Sequence, residues 1–414
     1  MLHHYHRIHS RLRGVRSSTP SFPAGSLSPA QILTAYGFKQ NQYASVASVK
    51  LGIGSLGGGV VQKDIDNSVK LWGMRAPTLT VRTVGGASND PSDQDSNVEN
   101  MLDIVPTMAF VWWWLTGRAA DITICFGPNA SGGMEAVTRD LVAAGCEVCS
   151  WSWGSAASQW DPAERASLSK AFADAVSKGV FFCAASGDNS VNDGTGSAVA
   201  DYPAADPSVW AVGGTRLVSF NTDGTRAVES AWGDGRAGDE GGGGGFDPTV
   251  TRPTWQQSAI HSGTGRGVPD TSANADPNSG WQMSANGAWT VVGGTSAASP
   301  FTAALIAIAR GQITKLANSG PAAQSVYVAQ ATNDILTGSN GDPASSGWDP
   351  ATGLGSPAGD KFIAAVSAWL HGGTVVAPPP IAPTPTQPTQ PLPPVPKLLT
   401  LAQAQAVLAA GWPK

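Results

Sequence analysis

Residues 121–213 alternate between strand-like and helix-like patterns, and that alternation leaves few architectures open. Residues 121–126 are an apolar strand-like run, 134–144 a helical pattern and 147–153 a strand. Residues 162–178 read as an amphipathic helix, 179–186 as a buried strand and 210–213 as a further short strand. Strands alternating with helices argue for an α/β fold with a mostly parallel sheet covered by helices on both faces. The upstream stretch fits the same plan. Ser28-Pro29 supplies an N-cap and first-turn proline for a helix at 30–36; a strand at 46–53, a helix at 64–72 and a strand at 79–84 follow. In such a sheet the chemistry gathers beyond the carboxyl ends of the strands. The loops after residues 153 and 186 are therefore the places to search.

The clearest candidate for chemistry lies further on. An apolar strand-like run at 288–292 enters Gly293-Gly294-Thr295-Ser296-Ala297-Ala298-Ser299-Pro300, and a buried helix follows at 302–309. The turn sets Ser296 at a helix N-terminus, where backbone N–H groups stabilise negative charge. An exposed, fixed serine there is either a nucleophile or an ordinary N-cap. A nucleophile needs a base. Of the six histidines, four (His3, His4, His6, His9) lie in a basic N-terminal tail, and the others are His261 and His371. None stands in the His-Gly-Thr setting that a subtilisin-type Ser-His-Asp enzyme would require, so the base is expected to be a carboxylate.

Three acids answer that requirement. Glu99 and Asp103 sit at i and i+4 on a helix beginning near 98, so they share one face, with Met101, Leu102 and Val105 on the buried side. Two acids sharing a face that runs into an apolar helix are either a stressed pair with shifted pKa values or a solvated helix start favoured by the dipole. The third, Asp188, follows Ala184-Ala185-Ser186-Gly187 at the end of a strand. Late in the chain, Asn333-Asp334-Ile335 and Ser345-Ser346-Gly347-Trp348-Asp349 place two acids among turns. Such loops can offer carboxylates and carbonyls to calcium, or can be plain Asx-turns.

Taken in order, these motifs resemble the sedolisin family, the serine-carboxyl peptidases with their kumamolisin-like members. The resemblance spans roughly residues 27–370. It rests on the Glu99-x-x-x-Asp103 helix, Ser152-Trp153-Gly154, Ala185-Ser186-Gly187-Asp188 and Arg266-Gly267-Val268-Pro269-Asp270 with Ala275-Asp276-Pro277. Gly294-Thr295-Ser296-Ala297, Asn333-Asp334-Ile335 and Gly347-Trp348-Asp349-Pro350-Ala351-Thr352-Gly353-Leu354-Gly355 complete it. It implies a subtilisin-like α/β fold with a C-terminal calcium-binding loop region. Ser296 would attack the peptide carbonyl, Glu99 take its proton, Asp103 support Glu99, and a protonated Asp188 stabilise the oxyanion, giving activity at acid pH. Ser152, Trp153 and Gly154 would line the substrate cleft. One structural Ca2+ would be held by the side chains of Asp334 and Asp349 and the carbonyls of Ile335, Ser345 and Gly347. Polypeptides are the expected substrates; internal cleavage and removal of N-terminal tripeptides both remain open. The alternative is an inactive structural or adhesion protein that kept the fold. Ser55 stands where some members carry a supporting glutamate, and the family's usual folded pro-region and signal peptide are not expected in this chain.

Composition bounds the remainder. Only 13% of residues are charged and the net charge is -5, too mild to argue for nucleic acid. No uninterrupted apolar stretch has the length of a membrane span. The four cysteines, Cys125, Cys146, Cys149 and Cys183, read as buried free thiols, since Cys146-x-x-Cys149 lacks a second pair. Residues 1–26 read as a disordered basic tail, 27–373 as the peptidase domain, 374–397 as a Pro-rich linker and 398–414 as a short helical tail. That tail is too short to fold alone and is expected to meet an unknown protein partner, the chain itself being a monomer. Gly241–Gly245 reads as a flexible loop, 265–280 as turn-rich, and Trp112-Trp113-Trp114 as a run that cannot all face one core.

Overall fold

The computed structural model describes residues 11–17, 19–41, 43, 49–114, 119–235, 240–313, 316–318 and 320–372. The expectations for 374–397 and 398–414 lie outside these residues. The principal strands are β1 (Arg11–Ser17), β2 (Lys50–Ser55), β3 (Thr78–Thr83), β4 (Asp121–Phe126), β5 (Val148–Trp151), β6 (Phe181–Ala185), β7 (Val209–Phe220), β8 (Arg226–Ala231), β9 (Thr271–Asn274), β10 (Trp281–Ala285) and β11 (Ala288–Gly293). The helices are α1 (Pro29–Ala35), α2 (Gln62–Trp72), α3 (Gln94–Trp114), α4 (Gly133–Ala143), α5 (Pro162–Ser177), α6 (Thr295–Gly311), α7 (Gln324–Val328) and α8 (Asp360–Leu370).

The central sheet has eight strands in the order β8–β7–β6–β5–β2–β4–β3, with β9 also paired to β7. Every pairing is parallel except the β7–β8 hairpin at one edge. Its inner strands are buried along their length, which is why they read as continuous apolar runs rather than as alternating ones. α6 is the axis of the domain: every residue from Thr295 to Ala309 is buried. It packs on α3 and α8 and under β5, β6 and β7. The helix starts follow local chemistry. Ser28 and Gln31 form a reciprocal capping box on α1, and Asp161 accepts from the N–H groups of Ala163 and Glu164 ahead of α5. The expected parallel α/β architecture of subtilisin type is the one observed.

Four local expectations are corrected. Part of the 1–26 tail is a strand: the backbone of β1 pairs antiparallel with β11, an edge that a distant segment was needed to complete. Residues 265–280, expected to be turns, contain β9, which is buried although its small polar residues carry no apolar signal. The strand foreseen at 210–213 extends over the twelve residues of β7. Gly241–Gly245 is buried throughout rather than flexible. All four cysteines are free and buried as expected. Trp112 and Trp113 are half-buried with ring centroids 6.1 Å apart. Among the described residues no helix is long and apolar enough to cross a membrane.

Candidate active site

The Ser296 turn is shaped by one glycine and one proline. Gly294 adopts φ 136°, a backbone region that only glycine enters cheaply, and the chain turns there from β11 into α6. Five residues into the helix, Pro300 has no N–H to offer the carbonyl of Ser296. That carbonyl is met instead by Ser152 Oγ at 3.3 Å, from the end of β5. Ser296 was expected on an exposed turn; α6 runs through the middle of the domain and buries it completely.

Ser152 also reaches the acids. Its Oγ lies 2.6 Å from Asp103 Oδ1. Glu99 and Asp103, one turn apart on α3, are both fully buried. Burial, and then the neighbouring Glu99 charge, push the Asp103 carboxyl well above the usual carboxylate range; the Ser152 hydroxyl pulls the other way. A hydroxyl has one proton to give. With Asp103 ionised that proton is held by its carboxylate. With Asp103 protonated, the carboxyl can donate to Ser152, whose own proton is then free for the Ser296 carbonyl. The acid pair and the Ser296 backbone are thus joined through a single side chain.

The helix bearing the pair is anchored from its polar start. Asn100 Nδ2 donates to the carbonyls of Gly57 and Gly59 at 3.1 and 3.3 Å, and its Oδ1 accepts from Ser55 Oγ at 2.8 Å. Asn97 Oδ1 accepts from Gly59 N–H at 2.7 Å. Ser55 therefore orients Asn100.

Asp188 is brought to the same turn from the end of β6. Its Oδ1 accepts from Thr295 N–H at 2.7 Å and lies 2.6 Å from Thr295 Oγ1. It too is fully buried. With Oδ1 taken by the Thr295 N–H and close to its hydroxyl, whose one proton can go there or to Gly187 O at 3.0 Å, the proton of a neutral Asp188 belongs on Oδ2. Thr295, Ser152 as a bridge, and Asn100 were not singled out for these roles. For Thr295 the only sequence signal was its place beside Ser296; for the other two the partners are distant in the chain.

In the Ser152-Trp153-Gly154 stretch the side chains face inward. Trp153 is buried, and a Cβ at Gly154 would sit 2.7 Å from Tyr202 O. Only its backbone remains to meet a ligand. The two described histidines outside the tail, His261 and His371, are exposed, so neither is placed to serve buried Ser296.

The late loops converge as well. Asp334 Oδ2 accepts from Gly347 N–H at 2.9 Å and Asp349 Oδ2 from Ser345 N–H at 2.9 Å, so both acids grip the 345–347 turn. Asp349 Oδ1 also accepts from the N–H groups of Ala351 and Thr352 at 3.0 and 2.9 Å. Asp349 is buried, only neutral donors surround it, and burial pushes its carboxyl up to about 6. No Lys or Arg among the described residues pairs with Asp334 or Asp349. Nor is there a cluster of three His, Cys, Asp or Glu side chains there able to hold a metal. A cation at this turn would need backbone carbonyls in addition to the two carboxylates, which pair with no cationic side chain among the described residues.

Comparison with known proteins agrees with this fold. The subtilase family model matches residues 83–353. Kumamolisin from Bacillus sp. (strain MN-32) is 33% identical over 395 residues, covering 87% of this chain and 68% of its own. Sedolisin from Pseudomonas sp. (strain 101) is 28% identical over 397 residues, covering 88% of this chain and 65% of its own. The chain thus spans about two thirds of the length of both. The solved structure of Pseudomonas sedolisin, a serine-carboxyl proteinase complexed with pseudo-iodotyrostatin, shares the fold with a TM-score of 0.71. It is 24% identical and covers 87% of this chain and 99% of that one.

Proposed function

Because the chain belongs to the sedolisin family of serine-carboxyl peptidases, we propose that it cleaves peptide bonds at acid pH through an acyl-enzyme on Ser296. The observation that carries this reading is the convergence of two acid systems on one turn: Asp103 through Ser152 on the Ser296 carbonyl, and Asp188 on Thr295. Ser296 Oγ attacks the substrate carbonyl while Glu99 accepts its proton. Asp103 holds Glu99 by sharing the charge of the pair. Neutral Asp188 donates from Oδ2 to the developing oxyanion, in a buried setting where a placed donor is worth far more than in water. Glu99 then passes its proton to the leaving amine, the C–N bond breaks, and the acyl-enzyme is left on Ser296. Water, deprotonated by Glu99, hydrolyses the ester and returns the proton to Ser296. The substrate lies extended along the backbone of Ser152-Trp153-Gly154.

The test is Asp188→Asn. The amide retains an N–H donor but cannot keep both the acceptor role toward Thr295 and the donor strength of a carboxylic acid. Loss of about 10²–10³-fold in kcat is expected, with KM little changed, as for removal of one oxyanion donor. Unchanged kcat would exclude Asp188 from the oxyanion site.

We also infer that Asp334 and Asp349, with the carbonyls of Ile335, Ser345 and Gly347, hold one Ca2+. When bound, the ion would neutralise the two carboxylates and tie the late loops together. Chelation should then lower the melting temperature by about 5 °C, the consequence of losing roughly 2.7 kcal/mol of linkage at a hundredfold excess of ion over Kd. Asp349→Asn should lose this response to calcium. A melting curve indifferent to chelator would show that the loops stand without an ion.

A further inference from the structure

The run Gly241-Gly242-Gly243-Gly244 lies buried between the loop bearing Asp188 and the loop after Asp349, and it bonds to both sides. Toward the active site, Gly243 N–H donates to Gly187 O at 2.7 Å and Gly241 N–H to Asp188 O at 3.2 Å. Ser186 Oγ donates back to Gly243 O at 2.7 Å. The peptide groups on both sides of the Asp188 Cα are therefore tied to the glycine run. On its other side, the fully buried Asn340 donates from Nδ2 to Gly242 O at 2.7 Å and approaches Pro350 O at 3.5 Å. The run has no space for side chains. A Cβ at Gly243 would sit 1.9 Å from Ser186 O, and one at Gly244 would sit 1.8 Å from Pro350 O.

We propose that Ser186, Gly243 and Asn340 are positioning residues for Asp188: through the glycine run they fix the two peptide groups that aim its carboxyl at the oxyanion. Thr295 holds one oxygen of that carboxyl, but a side-chain clamp alone leaves the Cα free to shift. The glycine run removes that freedom by gripping the backbone. An oxyanion donor loses most of its value when it drifts by a fraction of an ångström, so backbone placement is part of the catalytic requirement. This role rests on the assignment of Asp188 as the oxyanion donor.

Ser186→Ala removes one hydroxyl at nearly constant shape and tests the idea by a double-mutant cycle with Asp188→Asn. Alone, it should lower kcat about tenfold with KM nearly constant. In the Asp188→Asn background it should cost much less than tenfold, because the amide left at 188 is a weaker donor whose aim matters less. A merely structural defect would not shrink with Asp188. Losses that multiply in the double variant, or an unchanged kcat in Ser186→Ala, overturn the positioning role. Undiminished kcat in Asp188→Asn alone overturns the oxyanion assignment with it, so the two failures are distinguishable. Asn340→Ala repeats the cycle from the far side of the run and decides the matter should Ser186→Ala fold poorly.

Discussion

Replacing Ser296 with alanine is expected to lower kcat/KM by about 10⁶-fold and to abolish covalent labelling by a fluorophosphonate at acid pH. Two neighbouring hydroxyls are already committed, Ser152 to Asp103 and Ser299 to Ser150 Oγ at 2.8 Å. The substitution removes one oxygen from a helix start that Gly294 and Pro300 shape without it, so the fold and the melting temperature should persist. Labelling that survives in Ser296→Ala would move the nucleophile elsewhere. An intact protein that never labels would instead point to a chain that kept the fold without the chemistry.

Glu99→Gln should be nearly as damaging, about 10³–10⁴-fold in kcat, because an amide of the same shape cannot accept the serine proton. The pH dependence carries a signature that a histidine base would not. Burial and the charge of Glu99 raise Asp103 above its ordinary value. Between the ordinary and the raised value, the folded protein therefore retains a proton that the unfolded chain has released. The folded state binds more protons there, and stability falls as pH rises through that window. On the alkaline side Asp188, once ionised, can no longer donate to an oxyanion. Activity is expected to be highest in acid and to disappear toward neutrality. Asp103→Asn should flatten the accompanying fall in melting temperature, since the neutral amide has no second charge to release. A wild-type optimum at neutral or alkaline pH would rule out the carboxylate base.

Much of the active centre was legible because its parts are short and local. Glu99 and Asp103 declare a shared face through helical spacing, and Asp188 marks itself by following an apolar strand into Ser-Gly. Ser296 announces a tight turn through paired glycines. What stayed hidden depends on partners far away in the chain. Ser152 could be placed at a strand end, but its bond to Asp103 exists only because β5 and α3 meet over α6. The glycine run carried the opposite meaning from the one its composition suggests. With no side chains it has no periodicity, so a buried strap and a flexible loop look alike until the backbones of Ser186 and Pro350 are seen against it.

By itself, then, the sequence determined the α/β class, pointed through a family resemblance to the four residues of the proposed chemistry, and showed no histidine in a His-Gly-Thr setting. Periodicity, caps and turn-forming residues act over a few positions, and the chemistry of a side chain is written in its identity. Only the tertiary structure decided that Ser296 is buried, that Pro300 frees its carbonyl for Ser152, and that Thr295 holds one oxygen of Asp188. It also decided that β1 completes the edge beside β11. These outcomes are set by which surfaces meet across long loops, where hydrogen bonds of under 3.5 Å distinguish a catalytic contact from a near neighbour.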